Sequence, residues 1–157
     1  MEYEIIIRML TAVSLGFIIG LERQWHNCIA GLRTNILVTI GACLFVLLEA
    51  PSSVDHESNG IAAQIVSGIG FLGAGVILRE GLSVRGLDTA ATLWCSAAIG
   101  TLSGYDYLFV AISGTIMVVA INSILRPLTK WIDQHNKQKH GESLYTNETT
   151  SLDKYHV

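Results

Sequence analysis

The sequence predicts an all-α membrane protein with five transmembrane helices, its N-terminus outside and its C-terminus in the cytoplasm. Two observations lead to this prediction: charged residues are scarce, and the basic ones are placed asymmetrically. Half of the 157 residues are hydrophobic and 15% are charged, whereas globular chains carry roughly a quarter charged residues. The net charge of −3 lacks the basic surplus of nucleic-acid-binding domains, so we expect no nucleic-acid partner.

Five apolar runs without Asp, Glu, Lys or Arg cover more than half of the chain. They are Met9–Leu21, Thr34–Leu48, Ser58–Leu78, Thr89–Tyr105 and Tyr107–Leu125. A spanning helix needs about 17–25 mostly apolar residues, which the third and fifth runs supply directly. The first does so when extended back to Ile5, with Arg8 reaching outward to the interface. The second and fourth need flanking polar residues or a thinner bilayer. The runs lack the polar faces of a soluble bundle, so we predict five spans.

The basic residues set the predicted orientation. Nine of the ten lie in the connections that follow the first, third and fifth runs, and these are Arg23, Arg33, Arg79, Arg85, Arg126, Lys130, Lys137, Lys139 and Lys154. The alternate connections contain Asp55, Glu57 and Asp106 but neither Lys nor Arg. Loops rich in Lys and Arg stay in the cytoplasm, so five spans place the N-terminus outside.

We divide the chain into a membrane domain, residues 1–131, and a polar, flexible cytoplasmic tail, residues 132–157, which has little apolar surface to bury. The cysteines, Cys28, Cys43 and Cys95, have no paired spacing. A disulfide framework and a zinc site are therefore not expected.

The third run is rich in glycine. Its segment Gly68–Gly73 matches the dinucleotide-binding fingerprint, but that motif needs a preceding strand in a soluble βαβ unit, so we reject nucleotide binding. In lipid, small residues allow close helix approach. Gly68, Gly70, Gly73 and Gly75 therefore predict a helix at the centre of the bundle, and the pairs Gly16/Gly20 and Gly100/Gly104 repeat the spacing. The alternative is a helix break or a close backbone approach to an ion.

Polar residues within the spans allow two interpretations. Gln64 and Ser67 lie one turn apart in the third span, and Thr89, Thr92 and Ser96 follow one face of the fourth. They form either separate interhelical hydrogen bonds, each worth roughly 0.6 kcal/mol, or a polar seam between these two spans. No acidic residue lies at mid-span, which disfavours a proton relay or a Mg²⁺ cage.

The connection between the third and fourth spans, Arg79–Asp88, is dense in charge and glycine. Asp88 directly precedes an apolar run and is predicted to be the N-cap of the fourth helix. Arg79 and Arg85 either only set topology or, together with Arg33, form a basic patch for lipid headgroups or a partner.

Three ordered motifs resemble the MgtC/SapB family over residues 5–128. They are Leu21-Glu22-Arg23, Gly31-Leu32-Arg33-Thr34 and the block Ala63–Gly104. The resemblance implies a multi-pass, five-span protein of the bacterial cytoplasmic (inner) membrane, linked to adaptation to low Mg²⁺ and to virulence. It further implies that the protein acts by binding other membrane proteins, the ATP synthase among them, rather than by carrying Mg²⁺.

Two sets of residues are expected to carry the function. The resemblance places Asp88 and Cys95 in the family's fourth-span motif and matches Glu22, Arg23, Arg33, Thr34, Gln64 and the glycines to its other motifs, and the remaining residues come from the polar face and the loop described above. Partner-contact positions are Gln64, Gly68, Gly70, Gly73, Gly75, Asp88, Thr89, Thr92 and Cys95, and cytoplasmic loop motifs are Glu22, Arg23, Arg33, Thr34, Arg79 and Arg85. Asp88 stands where the family is expected to have Asn or Thr, and Asn35 where His is common. Larger members carry an ACT-type C-terminal domain. Only 26 residues follow Trp131, so we expect a short member without it.

Two functions remain as hypotheses. The first is a non-enzymatic regulator that packs against other membrane proteins through the third and fourth spans, and homo-oligomerisation is compatible with it. The second is a transporter or channel component for Mg²⁺ or another cation, which needs hard oxygen ligands along its path. An intramembrane enzyme is disfavoured, because no Ser/His or paired-Asp arrangement occurs at helical depth. We expect no resident cofactor, with Mg²⁺ the one ion that the resemblance implies.

Overall fold

A computed structural model describes residues 2–48, 60–81 and 83–129. Five helices make up most of these residues, and the predicted helical class is confirmed: α1 Glu2–Trp25, α2 Leu32–Leu47, α3 Gly60–Val76, α4 Leu87–Gly104 and α5 Leu108–Thr129. A short antiparallel ribbon, β1 Leu78–Glu80 with β2 Ser83–Arg85, connects α3 to α4. The chain forms two compact units, Met1–Ala120 and Ile121–Val157. The predicted tail, 132–157, and its boundary lie outside the described residues.

Helices α1 and α5 are long and apolar enough to cross a membrane by length and composition. At a rise of about 1.5 Å per residue, the 24 residues of α1 exceed the thickness of a hydrocarbon core. Acidic residues in its first turn and Arg23 in its last suit the helix dipole. Arg23 therefore belongs to α1 and not to the connection after it, because the helix continues to Trp25.

Helix α4 occupies the centre of the first unit. One buried apolar cluster joins it to α2 and α3, with Ile69, Leu93 and Ala97 among its members. A second cluster joins it to α1 and α5 through Ile19 and Ile99. The prediction that the third span is central is wrong. The buried residues of α3 are Ile69 and Gly73, because the close helix contacts are made by small residues on α1 and α4.

Those contacts converge on Thr39 of α2. A methyl group added at Gly16 of α1 would overlap the Thr39 hydroxyl, and one added at Gly100 of α4 would overlap the Thr39 carbonyl oxygen. Gly20 and Gly104, the other members of the two predicted pairs, are closed in by α2 in the same way. The helices therefore pack backbone to backbone, as small residues permit in membrane proteins.

The ribbon enters α4 through a position that requires glycine. Gly86 has a φ of +91°, a left-handed conformation that L side chains rarely adopt. An added methyl group there would also overlap the carbonyl oxygen of Val76 at the end of α3. The end of α3 is thereby held against the start of α4.

At the opposite end of α4, Arg8 of α1 satisfies the helix C-terminus. Its Nη1 donates to the Gly104 carbonyl oxygen at 3.1 Å, and its Nε lies 3.3 Å from a carboxylate oxygen of Asp106. Carbonyl groups in the last turn of a helix have no partner within the helix. Arg8 therefore supplies a donor and a counter-charge where the chain turns into α5.

The glycine contacts predict opposite outcomes for two Gly→Ala substitutions. Gly100→Ala should lower the free energy of unfolding by about 1–3 kcal/mol, because the new methyl group forces the α4 and α2 backbones apart. Gly68→Ala should leave it unchanged or raise it by up to about 1 kcal/mol, since alanine is the better helix former and has open space around it. Denaturant titration in mixed micelles measures both, and equal values would contradict the packing described.

Candidate functional site

A buried arginine joins the C-terminal end of α1 to the N-terminal end of α4. The Arg23 side chain is 2% exposed, whereas that of its partner Asp88 is 68% exposed. Arg23 Nη2 donates to Asp88 Oδ2 at 2.9 Å and to Thr89 Oγ1 at 3.3 Å. A buried guanidinium needs such acceptors, because burying a charge without them is strongly unfavourable.

The prediction that Asp88 caps α4 is wrong. Helix α4 begins at Leu87, its N-cap residue is Gly86, and no side chain makes the capping hydrogen bond. Asp88 lies inside the first turn, where its carboxylate accepts from Arg23. Its negative charge still suits the positive end of the helix dipole.

A second polar contact crosses from α4 to α2 deeper in the fold. Ser96 Oγ donates to Asn35 Oδ1 at 2.8 Å, and Asn35 Nδ2 donates to the Gly31 carbonyl oxygen at 2.8 Å. Both side chains are fully buried. The buried amide is therefore satisfied at both its oxygen and its nitrogen, as buried polar groups must be.

These partners contradict the second of the two interpretations, a polar seam between the third and fourth spans, and agree with separate interhelical hydrogen bonds. Thr89 accepts from α1 and Ser96 donates to α2, while Thr92 Oγ1 donates to the backbone of its own helix. Gln64 and Ser67 of α3 are exposed. The polar face of α4 was identified correctly, but it faces α1 and α2.

Helix α3 carries an open glycine face formed by Gly68 and Gly75, which lie seven residues apart and so nearly in line along the helix. Gly70 is open as well, but it is rotated by about 200° from Gly68. At Gly68, Gly70 and Gly75 an added methyl group would meet no atom within 4 Å, whereas at Gly73 it would lie 3.6 Å from the Ala90 methyl group of α4. Phe71, between them, is 83% exposed. Gly73 therefore serves the α3–α4 contact, and the other three glycines face away from the described residues.

The other predicted residues do not come together in one site. Arg33 and Thr34 are exposed in the first turn of α2, Arg79 and Arg85 are exposed on the ribbon, and Cys95 of α4 is half-buried. All three cysteines are free thiols. Within the described residues no group of three or more His, Cys, Asp or Glu side chains could hold a metal ion.

Glu22 is buried although α1 ends only three residues later. Its side chain is 8% exposed, and Oε1 lies 3.1 Å from His26 Nδ1. The same nitrogen donates to the Glu22 carbonyl oxygen at 2.9 Å. Within the described part of the chain the two carboxylate oxygens accept no hydrogen bond, and His26 is the basic side chain that lies next to them.

The sequence analysis missed the roles of Asn35, Thr39 and His26. Asn35 and Thr39 lie one turn apart in the second apolar run, a spacing that places both on one helix face and could have indicated a polar contact. His26 lies four residues after Glu22, which is the spacing of a helical pair. This spacing indicates a helical pair only if α1 extends as far as Trp25, beyond the end of the first apolar run.

Two substitutions at Asp88 separate its charge from its hydrogen bond. Asp88→Ala should lower the free energy of unfolding by about 1–3 kcal/mol, because it leaves a buried charged donor without its acceptor. Asp88→Asn keeps an oxygen acceptor for Arg23 and should cost less than about 1 kcal/mol, since the charge of the exposed Asp88 carboxylate is screened by solvent. Denaturation in mixed micelles checks both values, with Arg33→Ala as an exposed control. If Asp88→Asn lowered the free energy of unfolding as much as Asp88→Ala does, that result would contradict this account.

Comparison with known proteins matches residues 9–131 to the MgtC family. The chain is 54% identical over 130 residues to an uncharacterized Synechocystis protein, slr0014, covering 83% of the chain and 56% of that protein. It is 52% identical over 140 residues to Protein MgtC of Salmonella typhimurium, covering 89% and 60%. It is also 52% identical over 122 residues to Protein MgtC of Brucella abortus, covering 78% and 51%.

The chain thus spans between about half and three fifths of the length of these relatives. No solved structure matches it. The family match begins within α1 and continues past the end of α5, and it includes Arg23, Asp88 and the glycines of α3. The chain belongs to the MgtC family.

Proposed function

We propose that the chain is a multi-pass protein of the bacterial inner membrane with five spans and an outside N-terminus. Each helix exposes at least one large apolar side chain: Ile6, Leu37, Phe71, Trp94 and Phe109. Such side chains suit contact with lipid. Exposed Tyr3 and Tyr107 lie at the ends of helices near Arg8, and exposed Trp25 lies at the other end of α1, as interfacial aromatic residues do.

We further propose that the protein is a non-enzymatic regulator that acts by packing against other membrane proteins through α3. The observation that carries this proposal is the contrast between two sets of glycines. The glycines of α1 and α4 lie directly against α2, whereas Gly68 and Gly75 of the open glycine face have open space beside them. In lipid, a glycine face permits the close approach that holds two helices together, so this face suits a helix from another protein.

The family resemblance indicates the physiological process in which such a regulator would act. Membership in the MgtC family links the chain to magnesium homeostasis and adaptation to low Mg²⁺, with a connection to virulence, and makes the ATP synthase the first partner to test. Regulation by contact explains how a small helical domain can act without a reaction of its own.

The electrostatics of the described residues favour regulation over cation transport. A transported divalent cation requires carboxylate or carbonyl oxygens that are available to it. Asp88 pairs with Arg23, and Asp106 pairs with Arg8. These two carboxylates are engaged by the protein's own cations, so each is a poor cation ligand.

Thiol labelling tests the topology. In a variant whose native cysteines are replaced, Tyr107→Cys should react with a membrane-impermeant maleimide in intact spheroplasts. Asn27→Cys, in the connection between α1 and α2, should react only after the membrane is permeabilised, because positive-inside orientation places that connection in the cytoplasm. Labelling of both positions from the same side would contradict the five-span arrangement.

Substitutions on the open face test the regulator proposal. Gly68→Leu or Gly75→Leu should reduce recovery of the cross-linked partner about tenfold, equivalent to about 1.4 kcal/mol, because a large side chain prevents close approach. Recovery is measured by quantitative mass spectrometry after cross-linking in native membranes, with ATP synthase subunits followed first.

Gly41→Leu is the matched control, since Gly41 also has open space but belongs to α2 and not to the proposed contact helix. It should leave recovery unchanged, and all three variants should insert and extract as the parent does. Equal recovery from the Gly68 and Gly75 variants and the parent would rule out α3 as the contact surface.

A further inference from the structure

The ribbon between α3 and α4 has a constrained position. One residue, Ile77, separates α3 from β1, and one residue, Gly86, separates β2 from α4. The contact of Gly86 with the Val76 carbonyl oxygen holds both helix ends together. With α3 and α4 as membrane spans, the ribbon therefore cannot extend far into the cytoplasm and lies at the membrane boundary.

Both faces of the ribbon combine an aliphatic and a basic side chain. The register pairs Leu78 with Arg85 and Arg79 with Val84. Directly opposite residues of antiparallel strands share one face, and successive residues alternate. Each face thus carries one aliphatic side chain and one guanidinium group, and all four of these residues are exposed. The third pair, Glu80 with Ser83, occupies the same face as Leu78 and Arg85, so the face of Arg79 and Val84 is the one without an acidic position.

The aliphatic side chains are unsuited to water. Leu78 and Val84 are about half exposed, and Ile77 and Leu87 on either side of the ribbon are exposed as well. Arg79 Nε donates to the Gly81 carbonyl oxygen at 3.1 Å, which holds this side chain beside the turn. Aliphatic groups close to guanidinium groups fit the bilayer interface, where the former enter the acyl region and the latter bind phosphate.

We propose that the ribbon Leu78–Arg85 is an interfacial anchor that binds the headgroups of anionic phospholipids in the cytoplasmic leaflet. This inference rests on the membrane topology proposed above. A lipid surface fits better than a soluble protein partner, because apolar and basic groups occur on both faces of the ribbon. A docked protein covers one face of a two-stranded ribbon, whereas lipid molecules surround it.

Hydrogen exchange of the full chain in nanodiscs tests the proposal. Exchange of the ribbon amides is compared between phosphatidylcholine alone and a mixture with phosphatidylglycerol. We expect exchange of the ribbon amides to be about 25-fold slower in the anionic bilayer. A basic residue near such a surface contributes about 1 kcal/mol, or about fivefold, and the ribbon has two arginines. Arg79→Gln with Arg85→Gln should abolish the difference. Arg33→Gln, an exposed control outside the ribbon, should preserve it.

Two results would overturn the inference. Equal ribbon exchange in the two bilayers would place the ribbon in water, where it is open to a soluble partner, and persistent slowing in the double variant would exclude the arginines. Exchange in α3 separates this failure from a failure of the topology. Protected α3 amides with an unresponsive ribbon reject only the lipid contact, whereas unprotected α3 amides in both bilayers reject the membrane span as well.

Discussion

The close approach of three helix backbones around Thr39 is the constraint on which the rest of the fold depends. Gly16 and Gly100 contact this residue from two sides, so α1, α2 and α4 form one tightly packed group. Two polar contacts then fix their relative positions: Arg23 with Asp88, and Asn35 with Ser96. The small residues of α1 and α4 make their contacts within this group, and α3 lies at its edge.

The proposed regulator function depends on the peripheral position of α3. A glycine-rich helix in the centre of a bundle would have its small residues covered, and nothing would remain for a partner to contact. In this fold Gly73 alone among the four central glycines contacts α4. The helix is therefore attached along one side while its other glycines face outward, which suits a contact surface more than a structural core.

Sequence reasoning identified the helical class, the five helices, the small-residue pairs and the polar face of α4, because each depends on composition or on spacing along a single helix. It failed where the outcome depends on which helices are neighbours. The direction of the α4 polar face, the central position of α4 and the pairing of Asp88 with Arg23 all require knowledge of tertiary packing. The ribbon was missed because strands of three residues carry too little periodic signal.

The two arginines of α1 fix the position of α4 along α1. Arg8 binds the C-terminal end of α4 at Gly104, and Arg23 binds its N-terminal end at Asp88, so the antiparallel helices cannot slide past one another. Along α1 the two arginines lie about 22 Å apart at 1.5 Å per residue, less than the roughly 30 Å of a typical hydrocarbon core. In the proposed membrane arrangement the uncharged zone of the helix pair is therefore short and of fixed length, so the length of the lipid acyl chains becomes a variable to which the protein would have to respond.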